Sequence, residues 1–335
     1  MPRRLNHPAT SQLPEFIPPE LATLVDQPPE GIGWLHEIKL DGYRTAARVE
    51  GGQVRLLTRT GLDWTARFRP IATALASLPV KTAYLDGEVA VLGPDGVTSF
   101  AALQDAVSKG RAADLVYFAF DLLHLDGLNL TPLPLIERKA ALKKLLGRRR
   151  GAGPIRYSDH VQGKGGAFYN HACKLGLEGI VSKLAKSPYR PRRTTEWLKV
   201  KCLLRQEMVI GGWQDSEKQG RSLKSLLLGY YDRTGRLVFA GKVGTGFSLK
   251  LGRELVERMR KIERPDPPFA SVPRDYVRGS RWTEPRLVTE IAYSNWTTDG
   301  VMRHPKFVAL HEDKPAKEVR LERATPGNRA AAKRP

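Results

Sequence analysis

The chain has 335 residues, which at about 150 residues per domain predicts two domains. Lys and Arg total 55 against 35 Asp and Glu, so the formal net charge is +20, and a polyanionic partner is expected. The two cysteines, Cys173 and Cys202, form neither a CxxC pair nor a disulfide framework, which favours a reduced cytoplasmic compartment and argues against structural zinc. The sequence has no signal-peptide pattern and no run of about 18 apolar residues, so neither export nor a membrane span is expected.

Proline is frequent in the first 30 residues, which predicts an extended lead-in. The following sequence interleaves apolar or alternating runs with helical patterns, which predicts an α+β domain on antiparallel sheets, spanning residues 1–205. The predicted strands are 34–43, 53–58, 84–92, 115–123, 179–183 and 197–202. The predicted helices are 67–78, 133–146 and 166–175, the last two closed by Gly147 and Gly176.

Short strands dominate the sequence after residue 205. The predicted strands are 206–213, 223–231, 237–243, 276–278 and 287–296. One amphipathic helix carries Leu251, Leu255, Met259 and Ile262 on a single stripe. About five strands and one helix predict a small β-barrel of the OB type over residues 206–320, a fold that often binds nucleic acid. The basic segment 321–335 is predicted to be a disordered tail.

Charged and apolar residues alternate in the segment 37–44, EIKLDGYR. If residues 35–41 form a strand, its period of two places Glu37, Lys39 and Asp41 on one face and Ile38 and Leu40 on the other. Three ionisable groups on one face are costly to bury without a purpose. The alternative is a solvated strand edge, because charged strand faces are common at protein surfaces.

Two further runs place ionisable side chains on one face of a predicted strand, namely Asp86 with Glu88, and Lys199 with Lys201 and Trp197. The run 178–183 supplies one more carboxylate, Glu178, and another lysine, Lys183. Such a collection is typical of a cleft for phosphates and a divalent cation. The sequence contains no GxxxxGK[ST] loop, so this is not a P-loop site.

A lysine can itself attack phosphorus when it is partly deprotonated. The cations Arg44, Lys199 and Lys201, together with a bound metal ion, would disfavour the charged form of a lysine in this cleft, such as Lys39. The pattern therefore indicates covalent nucleotidyl transfer.

Five runs occur in the motif order of the covalent nucleotidyltransferases, which comprise ATP-dependent DNA ligases, RNA ligases and mRNA capping enzymes. EIKLDGYR resembles motif I, and the runs that resemble motifs III, IIIa, IV and V are LDGE at 85–88, YFAFD at 117–121, EGIVSK at 178–183 and WLKVK at 197–201. Within this superfamily the chain is most similar to the ligase module of bacterial ligase D, the partner of Ku in non-homologous end joining. The similarity covers about residues 20–314, including LTRTG at 57–61 and VGTGF at 243–247. It implies a stand-alone ATP-dependent DNA ligase with a nucleotidyltransferase (adenylation) domain followed by an OB-fold domain.

The resemblance also implies how the nucleotide is held. Lys39 would attack the α-phosphorus of ATP and carry AMP as a phosphoramidate. Glu37 would accept a hydrogen bond from the adenine 6-amino group, which guanine, with a carbonyl there, does not supply. Phe120 would stack on the adenine ring, or else be an ordinary core aromatic of its apolar run. Arg44 and Arg59 would bind the ribose and the phosphates of nucleotide or nick.

Further roles concern the metal ion and the phosphates. Glu88 and Glu178 would place a divalent cation, Mg²⁺ or Mn²⁺, or else serve as structural ion-pair partners. Lys199 and Lys201 would be catalytic, because they would neutralise charge on the α-phosphate in the transition state. Arg303 of the OB-fold would orient the β- and γ-phosphates.

Two positions near these motifs carry separate expectations. Asp41 would orient the turn of motif I or hold a metal-bound water. His311 stands where ligases commonly have the arginine of motif VI, and a histidine is only partly charged near neutral pH. This departure predicts weaker and more pH-sensitive assistance to self-adenylation.

Nicked double-stranded DNA is the substrate that the resemblance implies. Its expected backbone contacts are Arg59, Arg192, Arg193 and Lys306, with the arginine run 148–150, although such runs are also common on solvated faces. We expect a monomer at the bacterial nucleoid in the cytoplasm, with Ku and a separate repair polymerase as candidate partners. The alternatives are an RNA ligase, a GTP-using capping enzyme, which Glu37 and the barrel pattern disfavour, and a non-catalytic nucleic-acid binder that has kept the motifs.

Overall fold

The structure is a computed structural model that describes residues 9–147, 153–202, 204–322 and 324. The chain divides into two compact units after Cys202, where the sequence predicts a boundary at 205/206. The arginine run 148–150 and most of the predicted tail, 321–335, lie outside the described residues.

Two sheets form the framework of the first unit. Its strands are β1 (Ala9–Thr10), β2 (Leu21–Leu24), β3 (Trp34–Ile38), β4 (Tyr43–Glu50), β5 (Gln53–Thr58), β6 (Thr82–Val91), β7 (Leu115–Leu125), β8 (Leu128–Asn129), β9 (Ile155–Tyr157), β10 (Val161–Gln162), β11 (Gly179–Leu184) and β12 (Arg193–Lys201). One sheet has the order β1-β8-β7-β6-β4-β5 with β9 on β7, and the other has the order β10-β3-β11-β12-β2. All pairs are antiparallel except β2 with β12 and β7 with β9. The predicted α+β class on antiparallel sheets is confirmed.

The helices of the first unit are α1 (Arg69–Ala76), α2 (Phe100–Ser108), α3 (Leu135–Leu146) and α4 (Gly165–Lys174). Three of them match predicted helices, and α3 ends at Gly147, whose φ of +50° favours glycine. Helix α2 has no predicted counterpart. Its start is nevertheless encoded locally, because the Ser99 side chain accepts a hydrogen bond from the Ala102 backbone N–H at 3.3 Å.

The prediction of one strand over 34–43 is wrong. The chain leaves the five-stranded sheet after Ile38 and enters the seven-stranded sheet at Tyr43. A Cβ at Gly42 would lie 2.2 Å from the Val89 carbonyl oxygen of β6, so only glycine lets the backbone pass this close. The motif I segment is therefore the connection between two sheets, and Lys39 and Asp41 lie in a turn.

The second unit is built mainly of strands. They are β13 (Arg205–Asp215), β14 (Leu223–Tyr231), β15 (Leu237–Val243), β16 (Glu263–Arg264), β17 (Ser280–Thr283), β18 (Val288–Ala292), β19 (Asn295–Trp296), β20 (Met302–Arg303) and β21 (Lys306–His311). A seven-stranded sheet has the order β15-β14-β13-β17-β16, with β18 between β13 and β21, and β19 pairs with β20. Helix α5 (Leu249–Arg260) packs Leu255 and Met259 into the core.

Two details of the second unit correct the sequence prediction. Residues 276–278 are not a strand, because the short helix α6 (Arg274–Val277) follows Pro273, and proline suits a helix start. The predicted strand 287–296 is split into β18 and β19. More strands are present than the five or so that the sequence predicts, because β16, β20 and β21 are short or lie in segments without clear alternation.

The expectation that the cysteines are unpaired is also wrong. Cys173 of α4 and Cys202, which follows β12, form a disulfide with a Cα–Cα distance of 5.2 Å. The two residues are 29 positions apart in the sequence and meet because α4 packs beside β11, the partner strand of β12. Cysteine spacing alone did not reveal this proximity.

None of the helices in the described part of the chain is long and apolar enough to cross a membrane.

Candidate active site

Both sheets of the first unit contribute to the site, and its first part lies on one face of the five-stranded sheet. Directly paired residues of antiparallel strands share a face, and the register aligns Glu37 of β3 with Val181 of β11 and Lys199 of β12. The opposite face buries apolar side chains such as Ile180 and Val200. The alternation predicted from the sequence is therefore present, and the polar face carries the motif residues.

Lys39 continues this row beyond the end of β3. Its backbone N–H donates to the Gly179 carbonyl at 2.9 Å, and Gly179 pairs with Lys201. Asp41 anchors the turn to α2, since Oδ2 accepts from the Phe100 backbone N–H at 3.1 Å and the Asp41 N–H donates to Thr98 Oγ1 at 3.0 Å. Asp41 thus orients the turn, which is one of its two expected roles.

Lys39 is paired with a carboxylate. Its Nζ lies 2.6 Å from Glu178 Oε2, with side-chain exposures of 22% and 5%. Burial disfavours the charged amine, but the attraction and hydrogen bond of Glu178, aided by Glu88 and Asp41, raise the pKa of Lys39 above its usual value. The expectation that the charged form of Lys39 is disfavoured is wrong for the ligand-free protein, because these carboxylates outweigh the effect of burial.

Glu37 is surrounded by hydrogen-bond donors. Oε1 accepts from Lys139 Nζ at 2.7 Å, and Oε2 accepts from Ser158 Oγ at 3.0 Å and Lys183 Nζ at 3.1 Å. The Glu37 residue is 2% exposed. Burial raises the pKa of Glu37, but the charges and hydrogen bonds of the two lysines lower it below its usual value. Glu37 is therefore an ionised, oriented hydrogen-bond acceptor.

The Lys183 ammonium group, which donates to Glu37, lies over two aromatic rings, Phe120 of β7 and Trp197 of β12. The Phe120 ring is 6% exposed and has the Arg44 guanidinium 4.5 Å and the Lys183 ammonium 4.2 Å from its centroid. Phe118, two residues earlier on the same strand, is half-buried, and its backbone is aligned with Glu88 of β6. Phe118 is thus the more accessible aromatic surface.

Arg44 is held rigidly. Its Nε and Nη2 donate to the two Asp86 carboxylate oxygens, each at 2.6 Å, and the Tyr189 hydroxyl donates to Asp86 Oδ2 at 2.8 Å. This bidentate pair fixes the plane of the guanidinium. Arg59 lines the same small cleft as Arg44, Asp86 and Tyr189.

Glu88 and Glu178 are the carboxylates predicted to hold a metal ion. Within the part of the chain that the structure describes, no three His, Cys, Asp or Glu side chains lie close enough to hold an ion by themselves. Glu88 is half-buried and attracts Lys39, and Glu178 contacts it, so both lie at the nucleophile. Mg²⁺ commonly binds one or two carboxylates and completes its shell with water and substrate phosphates, which this pair fits.

Comparison with known proteins agrees with this geometry. The model of the ATP dependent DNA ligase domain matches residues 19–201, and that of the ATP dependent DNA ligase C terminal region matches residues 219–314. The chain belongs to the ATP-dependent DNA ligase family. Family membership confirms the expected nucleotidyltransferase domain followed by an OB-fold domain.

Individual relatives of this ligase-family chain are bacterial. It is 43% identical over 96% of its length to the multifunctional non-homologous end joining protein LigD of Pseudomonas aeruginosa, and 36% identical over 85% of its length to the corresponding DNA repair protein of Mycobacterium tuberculosis. It spans 38% and 37% of the lengths of these two relatives. A solved mycobacterial DNA ligase D in complex with ATP and MES is 34% identical, covers 92% of this chain and 99% of its own, and superposes with a TM-score of 0.68.

The remaining predicted residues lie at exposed positions or in the second unit. Arg192 and Arg193 are exposed at the start of β12, where Arg193 donates to the Ala22 carbonyl. Arg303 and Lys306 are exposed in the second unit. His311 lies on β21 with Nδ1 3.4 Å from Asp313 Oδ1.

Sequence reasoning missed the residues that support the motif side chains. Lys139, Ser158 and Tyr189 contact Glu37 or Asp86 but belong to no predicted motif. The helix that carries Lys139 was predicted, yet a helical pattern does not reveal that its lysine reaches a carboxylate 102 positions away. Only the packing of α3 against β7 brings the two together.

Proposed function

We propose that Lys39 of this member of the ligase family attacks the α-phosphorus of ATP, expels pyrophosphate and holds AMP, which then passes to the 5′-phosphate of a nick in duplex DNA. The adjacent 3′-hydroxyl attacks the activated phosphate, seals the strand and releases AMP. The observation that carries the proposal is the position of the Lys39 ammonium, 2.6 Å from Glu178, in one row with Gly179 and Lys201. A nucleophile, a carboxylate and a cation adjoin one another, as attack on a phosphoryl group requires.

Different side chains around Lys39 bind the adenine, the ribose and the phosphates of ATP. Glu37 accepts a hydrogen bond from the adenine 6-amino group. A ring of the YFAFD run on β7 packs on the base: Phe120 is the residue predicted from the sequence, and Phe118 is the more exposed ring. Arg44 and Arg59 bind the ribose and phosphates with planar guanidinium groups.

Lys199 and Lys201 offset the charge that develops on the α-phosphate. Glu88 and Glu178 would hold the Mg²⁺ or Mn²⁺ ion, which supplies further charge neutralisation at the phosphates when it is bound. Before Lys39 can attack, its Nζ must lose a proton and leave its pairing with Glu178. If Glu178 held the cation, it would attract the Lys39 ammonium group less strongly, which would favour both changes.

Basic residues of the second unit and the exposed arginines of the first unit bind the phosphates of ATP and of DNA. Arg303 orients the β- and γ-phosphates, and Arg192, Arg193 and Lys306 contact the DNA backbone without reading sequence. Binding to nicked DNA should therefore weaken steeply with salt, as the net charge of +20 favours.

The biological setting that we propose is DNA repair by end joining at the bacterial nucleoid. It is supported by the names of the Pseudomonas and mycobacterial relatives. In that setting the chain acts as a monomer, and Ku and a separate repair polymerase are its partners.

The decisive experiment is incubation of the purified chain with α-labelled ATP or GTP and Mg²⁺ or Mn²⁺, followed by a denaturing gel. Lys39→Ala is compared with Lys186→Ala, which removes an exposed lysine of the same unit. Label from ATP that requires Lys39, survives Lys186→Ala and is discharged by nicked DNA supports the proposal. Discharge by a nick in RNA alone would indicate an RNA ligase, and absence of label with either metal would leave a nucleic-acid binder.

A further inference from the structure

The acceptor capacity of Glu37 is almost fully used inside the protein. An ionised carboxylate offers about four acceptor positions on its two oxygens. Ser158 and Lys183 occupy two positions on Oε2, and Lys139 occupies one on Oε1. Counted over the described residues, one acceptor position on Oε1 is left for a ligand.

Lys139 is itself fixed in three directions. Its ammonium group donates to Glu37 Oε1 at 2.7 Å, to the Ser158 carbonyl at 2.9 Å and to the Phe120 carbonyl at 3.5 Å. An ammonium group has three donors, so all of them are directed at fixed acceptors. The side chain is 1% exposed, and its Nζ lies 4.8 Å from the centroid of the Tyr157 ring. The Lys139 head group is consequently a rigid support for Oε1.

We infer that Lys139 and Ser158 are positioning residues that set the choice of purine base through Glu37. They hold the carboxylate in one orientation, so that its remaining acceptor meets a 6-amino donor and repels a 6-oxo group. The inference rests on the proposed function, because it assumes that Glu37 faces the base of the nucleotide that Lys39 attacks.

The charges around Glu37 make Lys139 the stronger of the two lysine supports. Lys183 faces Glu37, Lys139, Asp121 and Arg44, and burial together with the neighbouring cations lowers its pKa to about 8, despite the attraction of the carboxylates. A fraction of Lys183 is therefore neutral in mildly alkaline solution. Lys139 lies closer to the carboxylate than Lys183 does, at 2.7 Å against 3.1 Å.

Loss of Lys139 should have a defined chemical consequence. A buried carboxylate that loses one of its two cations becomes easier to protonate, because burial already favours the neutral form of Glu37. A protonated carboxyl can donate to the 6-oxo group of guanine, and an unanchored one can rotate away from adenine. Both changes lower the preference for ATP over GTP.

The experiment measures the second-order rate constant for covalent labelling of Lys39, which is the observed rate divided by nucleotide concentration, with three nucleotides. ATP, GTP and the triphosphate of unsubstituted purine riboside differ at position 6 by an amino group, an oxo group and a hydrogen, with GTP also carrying a 2-amino group. Lys139→Met is compared with Lys139→Arg, which retains the charge. The matched control is Lys143→Met, one turn later on α3, where the lysine side chain is 44% exposed.

We expect Lys139→Met to reduce the ATP preference over the purine nucleotide and over GTP by about 10-fold or more, the size of one hydrogen bond to a charged group. Lys139→Arg should retain most of the preference, and Lys143→Met all of it. In a Glu37→Gln background, Lys139→Met should change the preference little further, since it acts through that carboxylate. A merely structural role would lower labelling with all three nucleotides equally.

Different failures remain distinguishable. If the unmodified chain labels from none of the nucleotides, the proposed function fails. If the chain labels normally but Lys139→Met keeps the ATP preference, the inference is overturned. Should Lys139→Met not fold, Ser158→Ala decides, because it removes a single hydroxyl that donates to Oε2 at 3.0 Å. An unchanged base preference in Ser158→Ala would then overturn the inference, and a lowered one supports it.

Discussion

The buried pair Arg138–Asp121 attaches helix α3 to strand β7, and removal of the arginine should be strongly destabilising. Nε and Nη2 of Arg138 donate to the two carboxylate oxygens of Asp121, each at 2.8 Å, and both side chains are fully buried. Nη1 also donates to the carbonyls of Leu133 at 2.6 Å and Ser187 at 3.1 Å. Arg138→Met leaves the Asp121 charge with the Leu122 backbone N–H as its remaining hydrogen-bond donor among the described residues.

The expected loss follows from this geometry. Removing one partner of a buried ion pair typically costs about 3–5 kcal/mol, because the other charge stays buried and unpaired. In a unit of roughly 200 residues, about 2–4 °C of melting temperature is lost per kcal/mol, so we expect Tm to fall by about 6–20 °C. The double variant Arg138→Met with Asp121→Leu removes both charges. It takes the Arg138 donor from the Leu133 carbonyl, whereas the Ser187 carbonyl still accepts from the Leu135 backbone N–H, so the double variant should cost less, about 1–3 kcal/mol.

Differential scanning calorimetry of the full chain measures these effects. The matched control is Lys144→Met, an exposed lysine on the same helix, for which a change within about 0.5 kcal/mol is expected. A melting temperature of Arg138→Met equal to that of the control would refute the reasoning. So would a double variant less stable than the single one, since the unpaired charge is then not the source of the loss.

Three further predictions follow from the site and its surroundings. The pKa of Lys39 is raised, and only its neutral amine attacks. The labelling rate at saturating ATP and low metal concentration should therefore increase with pH through the neutral and alkaline range. Glu178→Gln should move this pH profile to lower pH, and an unmoved profile would contradict the pairing of Lys39 with Glu178. Gly42→Ala should abolish labelling, since the new methyl group would lie 2.2 Å from a backbone oxygen of β6, and a labelling assay with normal yield would show that the turn can relax. Cys173→Ser should lower the free energy of unfolding by about 3–4 kcal/mol, which is the chain-entropy value for a loop closed over 29 positions by the bond to Cys202. Urea denaturation with and without reductant tests this prediction, and equal stabilities would count against the disulfide.

Local patterns carried most of the information about the nucleotidyltransferase unit. The alternation in 197–201 correctly predicted that Lys199 and Lys201 share a face with Trp197, because a strand has a period of two wherever it lies. The same rule failed at 39–42, where Gly42 turns the chain from one sheet to another, since periodicity contains no information about a close backbone approach by β6.

The sequence by itself determined the class of protein: the order of five motifs, the basic charge and the strand patterns suffice for a ligase-family chain with an α+β unit and a strand-rich unit. Only the tertiary structure decided the electrostatics of the site. The pKa of Lys39 is raised rather than lowered because Glu178, 139 positions away, lies against its ammonium group. Glu37 is ionised because Lys139, on a helix that no motif marks, reaches it across the unit. Charge interactions depend on distance and burial in the folded chain, and neither can be read from spacing along it.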